Sequence, residues 1–149
     1  MAQPAANFLR SFSHILAAVF NDRAAFNRLW RDSGARGHQP GMIAVRWQGD
    51  WVSEANGHQG ELRCLLRWHN STQLEARFCA TYARWLRVCY TVSLAAQEDS
   101  GPLRLKGEAD LGMLAGGIYK YEGELSQTHF KCSYRCKYDH GTFHLKPLS

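Results

Sequence analysis

Residues 74–94 read LEARFCATYARWLRVCYTVSL, and this stretch decides the fold. Leu74, Ala76, Phe78, Ala80 and Tyr82 alternate with Glu75, Arg77, Cys79 and Thr81. Leu86, Val88, Tyr90, Val92 and Leu94 then alternate with Arg87, Cys89, Thr91 and Ser93. A period of two sends successive side chains to opposite faces of an extended chain, so both runs read as half-buried strands with one wet face. A hairpin that pairs Tyr82 with Leu86 also sets Cys79 opposite Cys89 on the outer face. Directly opposed residues sit close enough for a disulfide in some registers. In a reducing compartment the pair reads as two ordinary small residues.

The same alternation extends in both directions. Leu62, Cys64, Leu66 and Trp68 precede the hairpin on one phase. After it come Leu103, Leu105, Ala109 and Leu111, then Tyr119, Tyr121 and Leu125, then Phe130, Cys132, Tyr134, Cys136 and Tyr138, and finally Phe143 and Leu145. Turn signals separate the runs at Asn56-Gly57, Asn70-Ser71-Thr72, Ser100-Gly101-Pro102, Gly116-Gly117 and Asp139-His140-Gly141. With a strand around Gly49–Glu54 the count is eight, joined by short connections. The sequence therefore predicts a mainly β fold, an eight-stranded antiparallel up-and-down barrel over residues 41–148. An open, strongly curved sheet with helices packed in its mouth is the alternative.

Residues 1–36 have a different period. Phe8, Phe12, Ile15, Leu16, Val19 and Phe20 recur at helical spacing, and Phe26, Leu29 and Trp30 form a second apolar patch. This segment holds five arginines and two aspartates. A basic amphipathic helix can lie on a membrane, but it more commonly packs on its own domain, so the sequence weighs against a membrane partner. Phe8, Phe12, Leu16 and Phe20 are expected to pack on the barrel or cover an opening. Residues 1–149 are thus read as a single domain.

Composition narrows the function. The chain has 149 residues, 45% hydrophobic and 21% charged, an ordinary globular balance. Its net charge of +5 is mild, and its outward bases are interspersed with glutamates, so no nucleic-acid partner is expected. No apolar run approaches the ~18 residues of a membrane-spanning helix. Five cysteines, an odd number, point to a reducing, cytoplasmic location.

Gly49-Asp50-Trp51 is a G-x-W at the first strand. A helical segment, this motif and eight antiparallel strands resemble the lipocalin and wider calycin barrels. The resemblance implies that Trp51 packs near the closed end, that a base near the last strand, Arg135 or Lys146, lies over it, and that the barrel holds a small, mostly apolar ligand. Nitrobindin-like haem barrels are similar in plan. Here Val52-Ser53-Glu54 follows the motif without further glycines, and His144 lies on the outward phase, so no haem or other cofactor is expected.

The chemistry-bearing residues follow from the phase. All six tyrosines, Tyr82, Tyr90, Tyr119, Tyr121, Tyr134 and Tyr138, fall on the apolar phase, as does Trp68. These seven are the candidate ligand-binding residues. A buried phenol needs a hydrogen-bond partner, so they form either an internally bonded core or a pocket with polar handles. Trp51, Trp68, Phe78, Tyr90, Leu105, Tyr121 and Tyr134 are expected to be buried together. The spacing His129-x2-Cys132-x3-Cys136-x3-His140 looks metal-like, but Cys132 and Cys136 on a regular strand lie about 13 Å apart, so no metal is expected. Glu108 and Asp110 fall on the outer phase and read as a solvated face. His58 and His140 flank turn glycines. No nucleophile, phosphate-loop or zinc-hydrolase motif is present.

The sequence thus points to a barrel that binds a small apolar or amphipathic molecule. An isomerase- or hydrolase-type enzyme on the same barrel, with a tyrosine or His58 as the acid–base group, is the second reading. A ligand-free structural or interaction module is the third.

Overall fold

The computed structural model describes residues 23–37, 41–82, 84–111 and 117–148. Phe8, Phe12, Leu16 and Phe20 lie outside them. A helix over residues 23–35 (α1) precedes eight strands. The strands are β1 (Arg46–Ser53), β2 (Gln59–Trp68), β3 (Gln73–Tyr82), β4 (Leu86–Gln97), β5 (Leu103–Asp110), β6 (Ile118–Leu125), β7 (Phe130–Arg135) and β8 (His140–Pro147). Each pairs antiparallel with the next, and β8 returns to β1 with Trp51 opposite Phe143, so the barrel is closed. Closure pairs the two edges that an open sheet would leave exposed.

Alternation sets the interior as expected. Trp51, Leu62, Cys64, Phe78, Leu105, Tyr121, Phe130, Phe143 and Leu145 are buried in one cluster, whereas Glu108 and Lys137 stand in water. Phe78 is its hub, with ring centroids 5.4 Å from Tyr90, 6.2 Å from Tyr121 and 5.3 Å from Phe143. Glycine allows the tightest strand approach on the inward phase. A Cβ on Gly49 would strike the His144 carbonyl oxygen, so only hydrogen lets β1 and β8 coil this closely.

The connections divide the barrel ends. The β2–β3, β4–β5 and β6–β7 turns lie at one end, and the β1–β2, β3–β4, β5–β6 and β7–β8 connections at the other. The first end is apolar inside. Trp47, Phe130, Leu94, Leu74, Leu125 and Leu145 fill it, all fully buried. Residues 41–45 cross over it. The Gln127 amide donates to the Gly41 carbonyl at 3.1 Å, and the Trp47 indole N–H donates to the Ala44 carbonyl at 2.7 Å.

Four expectations need correction. The resemblance implied Trp51 at the closed end, but Trp47 holds that place. Trp51 sits at the opposite end, its indole N–H donating to the Thr81 carbonyl at 3.3 Å and its ring 4.6 Å from Tyr82. Arg135 and Lys146 point outward into solvent rather than over Trp51. Trp68 is 42% exposed, because it is the last residue of β2 and projects past the rim, beyond any opposite wall. Tyr138 is 61% exposed, because β7 ends at Arg135 and a turn closed by the Cys136 N–H on the Asp139 carbonyl, 2.8 Å, lifts it to the hairpin tip.

The outer face is not uniformly wet. Phe26 of α1 is buried in a second cluster with Leu65, Cys79, Val88 and Cys89, so the helix lies on the outside of β2–β4, not in a mouth. Trp30 sits beneath two guanidinium groups, 5.5 Å from Arg46 and 5.3 Å from Arg63. Under Phe26, Cys79 and Cys89 face each other as the register requires, with Cα atoms 4.0 Å apart, and they form a disulfide. The reading as two ordinary cysteines is corrected accordingly. The narrow spacing of directly opposed residues brings the sulfurs together.

Candidate functional site

The second barrel end gathers polar chemistry. Tyr82 closes β3, Tyr90 is the fifth residue of β4, Tyr119 and Tyr121 are the second and fourth of β6, and Tyr134 is the penultimate residue of β7. Up-and-down topology makes these positions neighbours, since each strand beginning at this end abuts one that finishes there. Tyr121 is buried and the other four are half-buried against the same core. Tyr119 and Tyr134 have ring centroids 6.4 Å apart. The Tyr134 hydroxyl donates to the Val52 carbonyl at 3.4 Å. Its place requires Gly141, where a Cβ would come within 2.6 Å of that hydroxyl oxygen.

Acidic and hydroxyl groups from two turns complete this end. Ser53, the last residue of β1, is the buried polar residue of the barrel's described interior. Its Oγ donates to Asp139 Oδ1 at 2.5 Å and accepts the Asn56 N–H at 3.3 Å. The Glu54 N–H donates to the His140 carbonyl at 2.8 Å, tying the β1–β2 and β7–β8 turns together. Asp139 is thereby held inward, next to the phenols.

The electrostatics keep the phenols protonated. Burial is the main force raising the pKa of Tyr82, Tyr119, Tyr121 and Tyr134, and the Asp139 carboxylate adds to it for Tyr82, Tyr119 and Tyr134. Tyr90 is raised by burial and then by its neighbour Tyr121, to which its hydroxyl hydrogen bonds. Tyr119 hydrogen bonds to Cys136. Five phenols held in their neutral form therefore lie in a poorly solvated barrel end, where they offer polar groups and ring faces to an apolar body.

Five of the seven candidate residues are brought together. Tyr138 and Trp68 are not, since they occupy a hairpin tip and the opposite rim. Trp51, Ser53, Cys136 and Asp139 belong to the same end and were not singled out for it in the sequence. A signal for one of them exists: Ser53 falls on the inward phase of Trp47, Gly49 and Trp51. His58 is exposed at the β1–β2 turn. The residues of the metal-like spacing are spread along β7. His129 bonds Glu124 at 3.1 Å at the apolar end, Cys132 is buried midway with its thiol pushed up to about 12 by burial, and His140 lies at the far end. Among the described residues no three metal-ligating side chains come together. Glu108 lies 3.9 Å from Lys120 across the strands, on the solvated face.

Fold and site together define a class: a closed eight-stranded antiparallel barrel with a packed apolar end and a phenol-lined end. No family model matches the chain, and no curated protein or solved structure matches it either.

Proposed function

We propose that this protein is a small-molecule-binding barrel of calycin-like type, holding a small, mostly apolar ligand at the tyrosine-lined end. The observation that carries the reading is the convergence of Tyr82, Tyr90, Tyr119, Tyr121 and Tyr134 from four strands onto one end, with every phenol kept neutral. A site that is mostly apolar with a few convergent donors is the usual design for holding such a molecule. The acid–base enzyme reading draws less support. A catalytic phenol working near neutral pH needs its pKa lowered, and here burial raises it.

The cytoplasmic location belongs to the same proposal. The Cys79–Cys89 disulfide weighs against it, because a reducing compartment keeps cysteines as thiols and an oxidising one keeps them paired. Thiol counting on protein trapped at lysis separates the two.

Native mass spectrometry of freshly purified protein, followed by titration with the apolar dye 1-anilinonaphthalene-8-sulfonate, tests the binding reading. The expected result is a co-purified small mass or saturable dye binding, weakened roughly five- to tenfold by Tyr121→Phe, the worth of one hydrogen bond. The absence of both a bound mass and saturable dye binding would overturn the proposal.

A further inference from the structure

The phenol end holds an inward acid and no inward base. Among the described residues no arginine, lysine or histidine stands on the inward phase of any strand, so the strands bring no positive charge into the barrel. Asp139 enters from the β7–β8 turn. Its Oδ1 accepts the Ser53 hydroxyl at 2.5 Å, and its backbone carbonyl accepts the Cys136 N–H at 2.8 Å. Among the described residues no base forms an ion pair with its carboxylate. The bases beside it in sequence are placed elsewhere. Lys137 stands over the Tyr138 ring, 5.4 Å from its centroid, and Arg135 and His140 are exposed on the outer phase.

Aromatic rings surround this carboxylate. Ser53 pairs in register with Gly141, and Gly141 with Tyr134, so the acid on Ser53 sits beside Tyr134, whose hydroxyl reaches the neighbouring Val52 carbonyl. The Tyr119 ring lies 6.4 Å from that of Tyr134. Trp51, two residues before Ser53 on the same inward phase, has the Tyr82 ring at 4.6 Å. The charge on Asp139 acts through space on Tyr82, Tyr119 and Tyr134, in keeping with this placement. Tyr82, Tyr119, Tyr134 and Asp139 are half-buried, so each keeps surface that water reaches and the end is not sealed.

We infer that the ligand of this end is a small amphipathic cation, an amine or quaternary ammonium ion, with its charged head between Asp139 and the rings of Tyr82, Tyr119 and Tyr134. The inference rests on the reading of this end as a ligand site and adds the sign of the ligand's charge. An aromatic face is electrostatically negative and attracts a cation within about 6 Å of the ring centre. The carboxylate adds a full charge, and a poorly solvated place screens its attraction less than bulk water does. An anionic ligand would meet Asp139 with no inward base to offset it. A neutral one would cover the carboxylate without supplying a counter-charge, which costs free energy. Only a cation uses the rings and the acid together.

Calorimetric titration with 1-naphthylmethylamine, a cation at neutral pH, and 1-naphthylmethanol, a neutral molecule of the same size, is the test. The expected result is that the amine binds about tenfold tighter than the alcohol, by a margin that raised salt narrows. Asp139→Asn keeps an oxygen to accept the Ser53 hydroxyl, and an unchanged melting temperature will confirm that it folds. This variant should erase the preference for the amine and tighten 1-anilinonaphthalene-8-sulfonate, an anion. A merely structural role for Asp139 would shift cation and anion in the same direction. The comparison of amine with alcohol on the unaltered protein decides even where the variant misfolds. Alcohol binding as tight as amine binding would overturn the inference and leave the ligand site standing, as would a preference that survives in Asp139→Asn. Binding of none of the three probes would overturn the ligand-site reading together with it.

Discussion

Single residues decide the phenol end more than any element does. Gly141 is the sharpest case. A methyl group there meets the Val52 carbonyl and the Tyr134 hydroxyl at once, and backbone cannot yield as a side-chain tip can. Gly141→Ala should therefore cost roughly 1–3 kcal/mol in denaturant unfolding, the ordinary range for overpacking. Tyr134→Phe in the same background should recover part of that loss by removing one of the two struck atoms. No recovery in the double variant would show that the carbonyl clash alone sets the cost. Ser53 is the other decisive residue, since its hydroxyl turns Asp139 inward and so shapes the charge at the rim.

At the scale of elements, the helix and the β3–β4 hairpin support each other. Leu65 breaks the alternation of β2, standing outward beside inward Cys64 and Leu66, and Phe26 covers it. Phe26→Ala should cost about 3 kcal/mol by thermal or chemical unfolding, the lower end of the range for a buried phenylalanine, because the site lies near the surface and can relax. Reduction of Cys79–Cys89 should lower the melting temperature, since the bond closes a short loop in the unfolded chain. The variant with serine at both positions should melt where the reduced protein does. On the same hairpin, burial pushes the Glu75 carboxyl up, but Arg77 at 2.9 Å and Arg67 at 3.2 Å together outweigh it and leave its pKa lowered. A carboxylate lowered on folding adds stability above its ordinary range and loses it as the pH falls through the folded value. Glu75→Gln should therefore flatten the acid limb of a stability profile by less than about 1 kcal/mol, given its partial exposure.

For the whole molecule, the phenol cluster makes a second, alkaline signature. Tyr82, Tyr90, Tyr119, Tyr121 and Tyr134 hold their protons in the folded barrel above the ordinary phenol range. The unfolded chain releases those protons at about pH 10, so the folded state binds more protons from there upward. The phenols' contribution to stability is then flat below about pH 10 and falls above it. In an absorbance titration of phenolate, these five should ionise only as the far-UV signal of the sheet is lost. Ionisation of five tyrosines with the sheet intact would mean that the cluster is open to solvent.

Much of this was legible in the chain itself. A two-residue period is a property of local backbone and local polarity, so residues 74–94 alone announce two strands, their buried faces and the opposition of Cys79 and Cys89. Repeated down the chain, the same period yields eight strands and an inward phase that holds for Phe78, Leu105, Tyr121 and Phe143. What it cannot carry is position along the barrel axis, because period two repeats unchanged from rim to rim. Trp68 and Tyr138 share the inward phase yet lie past a rim and on a turn, and Trp47 rather than Trp51 plugs the apolar end. Closure depends on β8 meeting β1, a pairing of residues about a hundred positions apart that no local pattern encodes. The same long-range closure gathers five tyrosines with Asp139 at one end.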